Sequence, residues 1–345
     1  MLRCQPRGRA SLEPSSRRVS LCAVLASLAF VACSDADKVE HGAATGSGGS
    51  GATGAEAATA TGSAAESTSA SSSASGASDP CTSCAVPTSK GAVAASAIKE
   101  VSGIVASQLH DDVYYVHNDS GDTARFFALG SDGVDRGSYV VDGASAIDWE
   151  AVAAGPCDKG RCLYFGDVGD NLEARASYTI YRVAEPQRLA PGEQHVAGEA
   201  LELVYPDGSH NCETLLAHPN SGELWLVTKV SLGSAGVYRV PSGSVPGKGI
   251  VLEKRGSVTP PSGLPQFTAG DVRPDGTGIL LRTYTNLFFY PLDGADVAAA
   301  LAAPPCKVPV AAEKQGEAVA WTKSGDGYVT VSEGNESAVN WASCP

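Results

Sequence analysis

The chain has 345 residues, a formal charge of −13, ten Cys, four Trp and a single Met. So acidic a protein excludes nucleic acid and anionic lipid headgroups as natural partners and favours cations or basic ligands. Ten Cys in a chain that opens on an export-type leader point to an oxidising compartment, where thiols pair as disulfides.

Residues 1–32 hold five Arg against one Glu, a balance of +4, so the remainder carries −17. Arg17 and Arg18 precede an apolar run, residues 19–32, that ends Phe30-Val31-Ala32-Cys33. The run is too short to span a bilayer, and a basic flank with a small residue before the cut marks a secretory signal peptide. The Phe-Val-Ala-Cys ending resembles a bacterial lipobox, with Phe30 where Leu is usual. That resemblance implies acylation of Cys33, which would hold the protein at a membrane of the cell envelope, in the periplasm or at the cell surface. An ordinary signal peptide with an incidental Cys is the alternative. Residues 33–80 follow as a tether, with 42–78 almost wholly Gly, Ala, Ser and Thr. Such a segment has too few large apolar groups to offset the entropy of ordering it, so disorder is expected there.

From Cys81 to Pro345 the composition changes to short runs rich in Val, Tyr, Trp and Leu, separated by Gly, Asn, Asp and Pro. These are strand-length, and only residues 296–302 (DVAAALA) suggest a turn or two of helix. An all-β domain is expected over residues 81–345, and internal repetition selects its type. The unit is a small or acidic pair, an apolar strand, a turn, and a second apolar strand ending in polar residues. Its copies open at Ser102-Gly103, Trp149-Glu150, Cys212-Glu213, Gly270-Asp271 and Gly316-Glu317. Their second strands end at His117-Asn118-Asp119, Asp167, Thr228-Lys229, Arg282-Thr283 and Ser332-Glu333. Intervals of 46 to 63 residues leave room for four strands in each copy. Residues 178–183 and 200–205 supply the outer pair in the second copy, and residues 237–240 and 250–253 in the third. A β-propeller of five blades is therefore expected, with six as the alternative and a solenoid or sandwich as the competing folds. The fifth copy runs out of chain, so an amino-terminal strand at residues 91–98 is expected to complete it and close the ring.

In a propeller the first strand of each blade lines the central channel. Glu150, Glu213 and Glu317 hold one repeat position, with Asp271 close to it, and carboxylates converging on an axis repel unless a cation lies among them. Hard oxygen ligands suit Ca²⁺ or another divalent ion. Asp167, Asp170 and Asn171 end the neighbouring strand and are expected to complete the metal site, with Asn118, Asp119 and Asp122 making a similar loop. The competing account has Lys229 and Arg282 neutralise the glutamates and seal the mouth. His117 ends a channel-side strand as a packing or a working histidine, and Trp149 either packs between blades or offers a stacking face for sugar. No paired histidine spacing and no GxSxG elbow are present, so no catalytic residue is assigned. Seven Cys follow Cys33. Cys157 and Cys162 flank a turn and are the favoured disulfide. Cys81 or Cys84 is placed to latch Cys344 at the ring closure, and one thiol is left over.

The run 148–153 (DWEAVA), with 166–171 (GDVGDN) and 178–183 (YTIYRV), resembles a group of secreted bacterial propeller proteins. The acidic first strands are more distantly similar to phytase-like and gluconolactonase-like propellers. That similarity implies Ca²⁺ or another divalent ion at the channel mouth, without carrying over either family's full ligand set. Two functions follow as expectations. One is a lipid-anchored binding module that takes a protein or small-molecule ligand, not nucleic acid, on its acidic face. The alternative is a divalent-metal-dependent hydrolase of phosphoesters or lactones.

Overall fold

The computed structural model describes residues 80–344; the signal segment, Cys33 and the tether lie outside them. Strands follow one another almost without interruption: β1 (Thr88–Ala92), β2 (Val101–Ala106), β3 (Val113–Asn118), β4 (Arg125–Gly130), β5 (Asp135–Asp142), β6 (Trp149–Cys157) and β7 (Gly160–Asp167). After these come β8 (Tyr178–Ala184), β9 (Glu193–Val204), β10 (Cys212–Ala217), β11 (Leu224–Thr228), β12 (Ala235–Arg239), β13 (Gly247–Val251) and β14 (Glu253–Val258). The last are β15 (Phe267–Val272), β16 (Gly278–Thr283), β17 (Leu287–Pro291), β18 (Cys306–Val308), β19 (Gly316–Trp321), β20 (Gly327–Ser332) and β21 (Ala338–Ser343). The short helix Val297–Ala302 sits where the DVAAALA run predicts it, capped by Asp296, whose carboxylate accepts from the Ala299 amide at 3.0 Å.

The fold is all-β and β-propeller-like. Antiparallel sheets run β10-β11-β12-β14, β15-β16-β17-β18 and β1-β21-β20-β19, while β2-β3-β4-β5 and β6-β7-β8-β9 join into one larger sheet. The first strand of each run packs beside the next: β2 by β6, β6 by β10, β10 by β15, β15 by β19, and β19 by β2. Burial explains the sequence pattern. Inner strands such as β2 and β10 are covered on both faces and read as near-continuous apolar runs, whereas the outer β5 and β9 alternate. A separate apolar core fills each space between neighbouring sheets. Between the β2–β5 and β6–β9 runs, Phe126, Phe165 and Trp149 stack with centroids 4.7 and 5.1 Å apart. Burying one such ring contributes roughly 1.5–3 kcal/mol.

Three strand assignments shift. The amino-terminal strand is β1, at Thr88–Ala92, and it pairs with β21 through Thr88↔Trp341 to Ala92↔Ala338. Beyond β1, Val93, Ala95 and Ile98 leave the sheet and plug the adjacent core. The third run uses β14 as its outer strand, while β13, at Gly247–Val251, pairs parallel with β9 of the neighbouring sheet. β9 is also longer than expected. Its first half pairs parallel with β5, Ser138↔Glu193 to Asp142↔Ala197, and its second half antiparallel with β8. Such cross-sheet pairs cover edges that would otherwise expose unpaired backbone.

Among the described residues, three disulfides join Cys81 to Cys306, Cys84 to Cys344 and Cys157 to Cys162, the last being the pair favoured from its spacing. Cys212 is the leftover thiol and is buried. These bonds place the domain in an oxidising, extracytoplasmic setting. Replacing Cys84 and Cys344 together by Ala is expected to cost about 2–4 kcal/mol in urea unfolding, because the bond closes a long loop. Replacing Cys157 and Cys162 should cost less, and the opposite order would refute the latch.

Candidate functional site

One irregularity recurs in every inner strand. Register slips by one residue between Val101 and Gly103, Trp149 and Ala151, Cys212 and Thr214, Phe267 and Ala269, and Gly316 and Ala318. The unpaired residues are Ser102, Glu150, Glu213, Thr268 and Glu317. A bulge of this kind bends the strand and re-aims the extra side chain. Here two of those side chains bond the backbone of the adjacent inner strand. Ser102 Oγ donates to the Glu150 carbonyl at 3.2 Å, and Thr268 Oγ1 to the Gly316 carbonyl at 2.8 Å. Ser102, Glu150 and Glu213 line an axial cavity of only about 10 Å³, room for one water rather than a pore. Asp271 does not share this position. Thr268 holds it, and Asp271 sits three residues further along β15, among the residues of the opposite mouth.

Charge compensation at the axis is incomplete. Lys229 Nζ donates to Glu213 Oε1 and to the Tyr284 hydroxyl, both at 2.5 Å, while Glu213 Oε2 is buried without a partner. Arg282 goes elsewhere. Fully buried, it donates to the Ala318 carbonyl at 2.8 Å and pairs with Glu313. A Cβ on Gly316 would lie 1.9 Å from the Arg282 Nη2, so only glycine fits there. Glu150 receives Ser102 Oγ at 2.9 Å and Glu317 receives Gln315 Nε2 at 3.1 Å, and neither has an ion-pair partner among the described residues. Burial therefore raises these carboxyls. Glu213 is pushed up to about 8 by desolvation, with the Glu317 charge adding and Lys229 opposing. Glu317 rises to about 7 through burial, and Glu150 goes well above its ordinary value through burial and the charges of Glu213, Asp119 and Asp148. Lys229 is lifted by Glu213 and Tyr284 although burial opposes its charge.

Asp119, Asp148 and Glu150 come together more closely than any other acidic group among the described residues, each with one oxygen within 4.8 Å of the others. Glu150 is the bulge residue of β6, Asp148 lies two residues earlier, and Asp119 follows β3. The Asp119 amide is fixed by the Glu100 carbonyl at 2.8 Å, and the Asp148 carbonyl accepts from Gly169 at 3.1 Å. A Cβ on Gly169 would sit 2.4 Å from Asp148 Oδ2 and 2.7 Å from Glu150 Cγ. The glycine thus leaves the space these carboxylates use. Burial, with Asp119 nearby, raises Asp148 to about 6. Three convergent hard oxygens with no ion-pair partner among the described residues fit Ca²⁺ or Mg²⁺.

The loop after β7 has a different task from the one its composition suggests. Asp167 accepts from the Ile147 and Asp148 amides and pairs with Arg175 at 2.9 Å. Asp170 accepts from the Ala174 and Arg175 amides and the Tyr178 hydroxyl. Burial opposes its charge, but those donors hold Asp170 below the usual carboxylate range. Asn171 accepts from Asn211 Nδ2 at 3.1 Å. These three side chains are engaged in fixing the loop, Asp167 directly orienting Asp148. Asn118 likewise donates to Asp122, which also accepts from Arg125. Only Asp119 from that loop joins the acidic group. Trp149 is a core residue, stacked on Phe165 with Nε1 donating to the Ser145 carbonyl at 2.9 Å. His117 is fully buried, its Nδ1 against the Asn118 carbonyl and its Nε2 unpartnered, and desolvation lowers it to about 4. It is neutral at physiological pH.

Asp148 carried a signal, since residues two apart in an extended strand share a face and Asp148-Trp149-Glu150 has that spacing. Asp119, just after β3 in the neighbouring run of the same sheet, was legible as part of the Asn118–Asp122 loop, but nothing in the sequence set it beside Glu150.

No protein family and no curated protein matches the sequence. Solved structures similar to this chain include U3-55K, 9% identical over 75% of this chain and 98% of that one, with a TM-score of 0.38. Another is a gluconolactonase of Xanthomonas campestris, described as important in glucose secondary metabolic pathways. It is 11% identical over 72% of this chain and 87% of that one, with a TM-score of 0.43.

Gly169→Ala is expected to weaken Ca²⁺ binding about 10–100-fold in titration calorimetry, by displacing Asp148 and Glu150. Unchanged affinity would remove the triad from consideration. pH gives an independent check. Carboxyls near 4 when unfolded but near 7 or 8 when folded leave the native state holding more protons. Without divalent ions, stability should therefore fall between about pH 7 and about pH 8, where unfolded His117, with an ordinary value near 6.5, is mostly neutral. A rise in the urea midpoint over that interval would contradict the buried, uncompensated carboxyls.

Proposed function

We propose that this chain is an exported, five-bladed propeller, its last blade completed by β1, that binds a ligand through its acidic mouth with the help of a divalent cation. Asp119, Asp148 and Glu150 are the ligands we assign to Ca²⁺. The observation that carries the reading is their convergence, with no ion pair to a basic side chain among the described residues. The unpartnered Glu213 Oε2 beside them adds to the local demand for positive charge. The cyclic packing of β2, β6, β10, β15 and β19 and the β1–β21 pair support the blade count and closure. The lipobox-like end at Cys33 supports anchoring to an envelope membrane. A binding role is favoured by the loops around the mouth. Leu172 and Leu232 are 88% and 81% exposed, and their neighbours in sequence line a depression of about 440 Å³ beside Lys229 and Tyr284. Exposed aliphatic side chains grouped at one opening mark a contact surface.

A metal-dependent hydrolase of phosphoesters or lactones is the second reading. Glu317 favours it, because an unpaired carboxyl raised to about 7 by burial is suited to take a proton at neutral pH. Bound at the mouth, a divalent cation would polarise a phosphoryl or carbonyl oxygen.

Thermal melting of the full chain separates these outcomes. Ca²⁺ should raise the melting temperature and EDTA reverse it, with about 2.7 kcal/mol gained at a hundredfold excess over Kd. Asp119→Asn with Asp148→Asn should abolish the shift. Absence of any shift with Ca²⁺, Mg²⁺ or Mn²⁺ would reject the cation site. Phosphoesterase or lactonase turnover lost in Glu317→Gln would replace the binding module by the hydrolase.

A further inference from the structure

The opposite mouth of the channel holds a second, chemically different cavity of about 260 Å³. Inner-strand ends form its apolar wall, through Val105, Ala154 and Val272, and Asp271, Gln108 and Arg161 supply its polar groups. Two of its features call for a partner. The Asp271 carboxylate accepts from the Trp321 amide at 2.8 Å and the Val272 amide at 2.9 Å, but it has no ion-pair partner among the described residues. Arg161 has no side-chain hydrogen bond or ion pair among the described residues, whereas the other basic residue of the rim, Lys323, is paired with Asp111 at 2.7 Å.

We infer that this cavity binds a small zwitterion, a free α-amino acid with an aliphatic side chain. Its ammonium group supplies the positive charge that the Asp271 carboxylate lacks. The carboxylate pairs with the Arg161 guanidinium, which suits bidentate contact. An aliphatic side chain covers Val105, Ala154 and Val272. Acceptors at the wall and a free cation at the rim would each suit only half of a singly charged ligand. The volume lies below the usual range for drug-sized ligands, which points to a compact molecule. This site does not rest on the cation reading, since it lies at the other end of the axis and uses none of the triad.

Titration calorimetry of the full chain with L-leucine tests it, with N-acetyl-leucine, leucinamide and the dipeptide Leu-Gly as comparisons. Leucine should bind. Loss of the ammonium charge in N-acetyl-leucine and loss of the carboxylate in leucinamide should each weaken binding at least about tenfold. Arg161→Ala should weaken leucine by a similar factor and leave leucinamide unchanged. Asp271→Asn should weaken leucine likewise; if that variant does not fold, the N-acetyl comparison decides. Leu-Gly binding as tightly as leucine would overturn the free amino acid in favour of a peptide amino terminus. No heat with leucine, or equal affinity for leucine and N-acetyl-leucine, would overturn the site altogether. Leucine binding should persist in EDTA and in the Asp119→Asn, Asp148→Asn variant, so failure of the cation site and failure of this one are distinguishable.

Discussion

Each inner strand carries one residue more than its partner strand can match, and the extra side chain is turned towards the axis. In three of these positions it is a glutamate. Burying that much acid near one line requires compensation, and two cations lie within reach. Lys229 meets Glu213, while Arg282 is committed to Glu313 and to the backbone of β19. Glu150 and Glu317 are left with neutral donors. Replacing either by an apolar residue would relieve the desolvation cost, so these glutamates lower the stability of the apo domain. A bound cation would turn that cost into binding energy, which is why the charge imbalance and the Asp119–Asp148–Glu150 group belong to one argument.

Rigid surroundings hold the imbalance in place. Asp167 takes two backbone amides and Arg175, and the Asp148 amide is one of them. Gly169 gives the carboxylates their space, and its own amide bonds the Asp148 carbonyl. Beyond the mouth, β9 pairs with three different strands and β1 with β21, so few sheet edges are left free. The acidic residues therefore sit on a scaffold that cannot easily splay to relieve their repulsion.

What could be read in advance followed from periodicity. Continuous apolar runs such as residues 101–106 and the recurring small or acidic pair announced inner strands, because both faces of those strands are buried. Long-range pairing had no such signal. Nothing in Glu193–Val204 says that its first half belongs beside β5, and nothing in Gly247–Val251 says that it leaves its own sheet. The site divided along the same line. Glu150, Glu213 and Glu317 were legible as a repeated position, but the bulge register that puts Thr268 in that position, and Asp271 at the far mouth, exists only in three dimensions. Asp167, Asp170 and Asn171 have a ligand-like composition, yet their oxygens serve the loop, since composition does not record which donors lie nearby.

The two disulfides at the chain ends have a mechanical consequence. Cys81 and Cys84 precede β1, and they are bonded to Cys306 and Cys344. Tension arriving from the amino-terminal side meets these covalent bonds before it meets the β1–β21 hydrogen bonds. The load passes directly into β18 and the carboxyl terminus, and β1 is shielded from being peeled away. A reducing environment would remove that shield and make the same pull act on the weakest kind of contact, one strand unzipping from an edge.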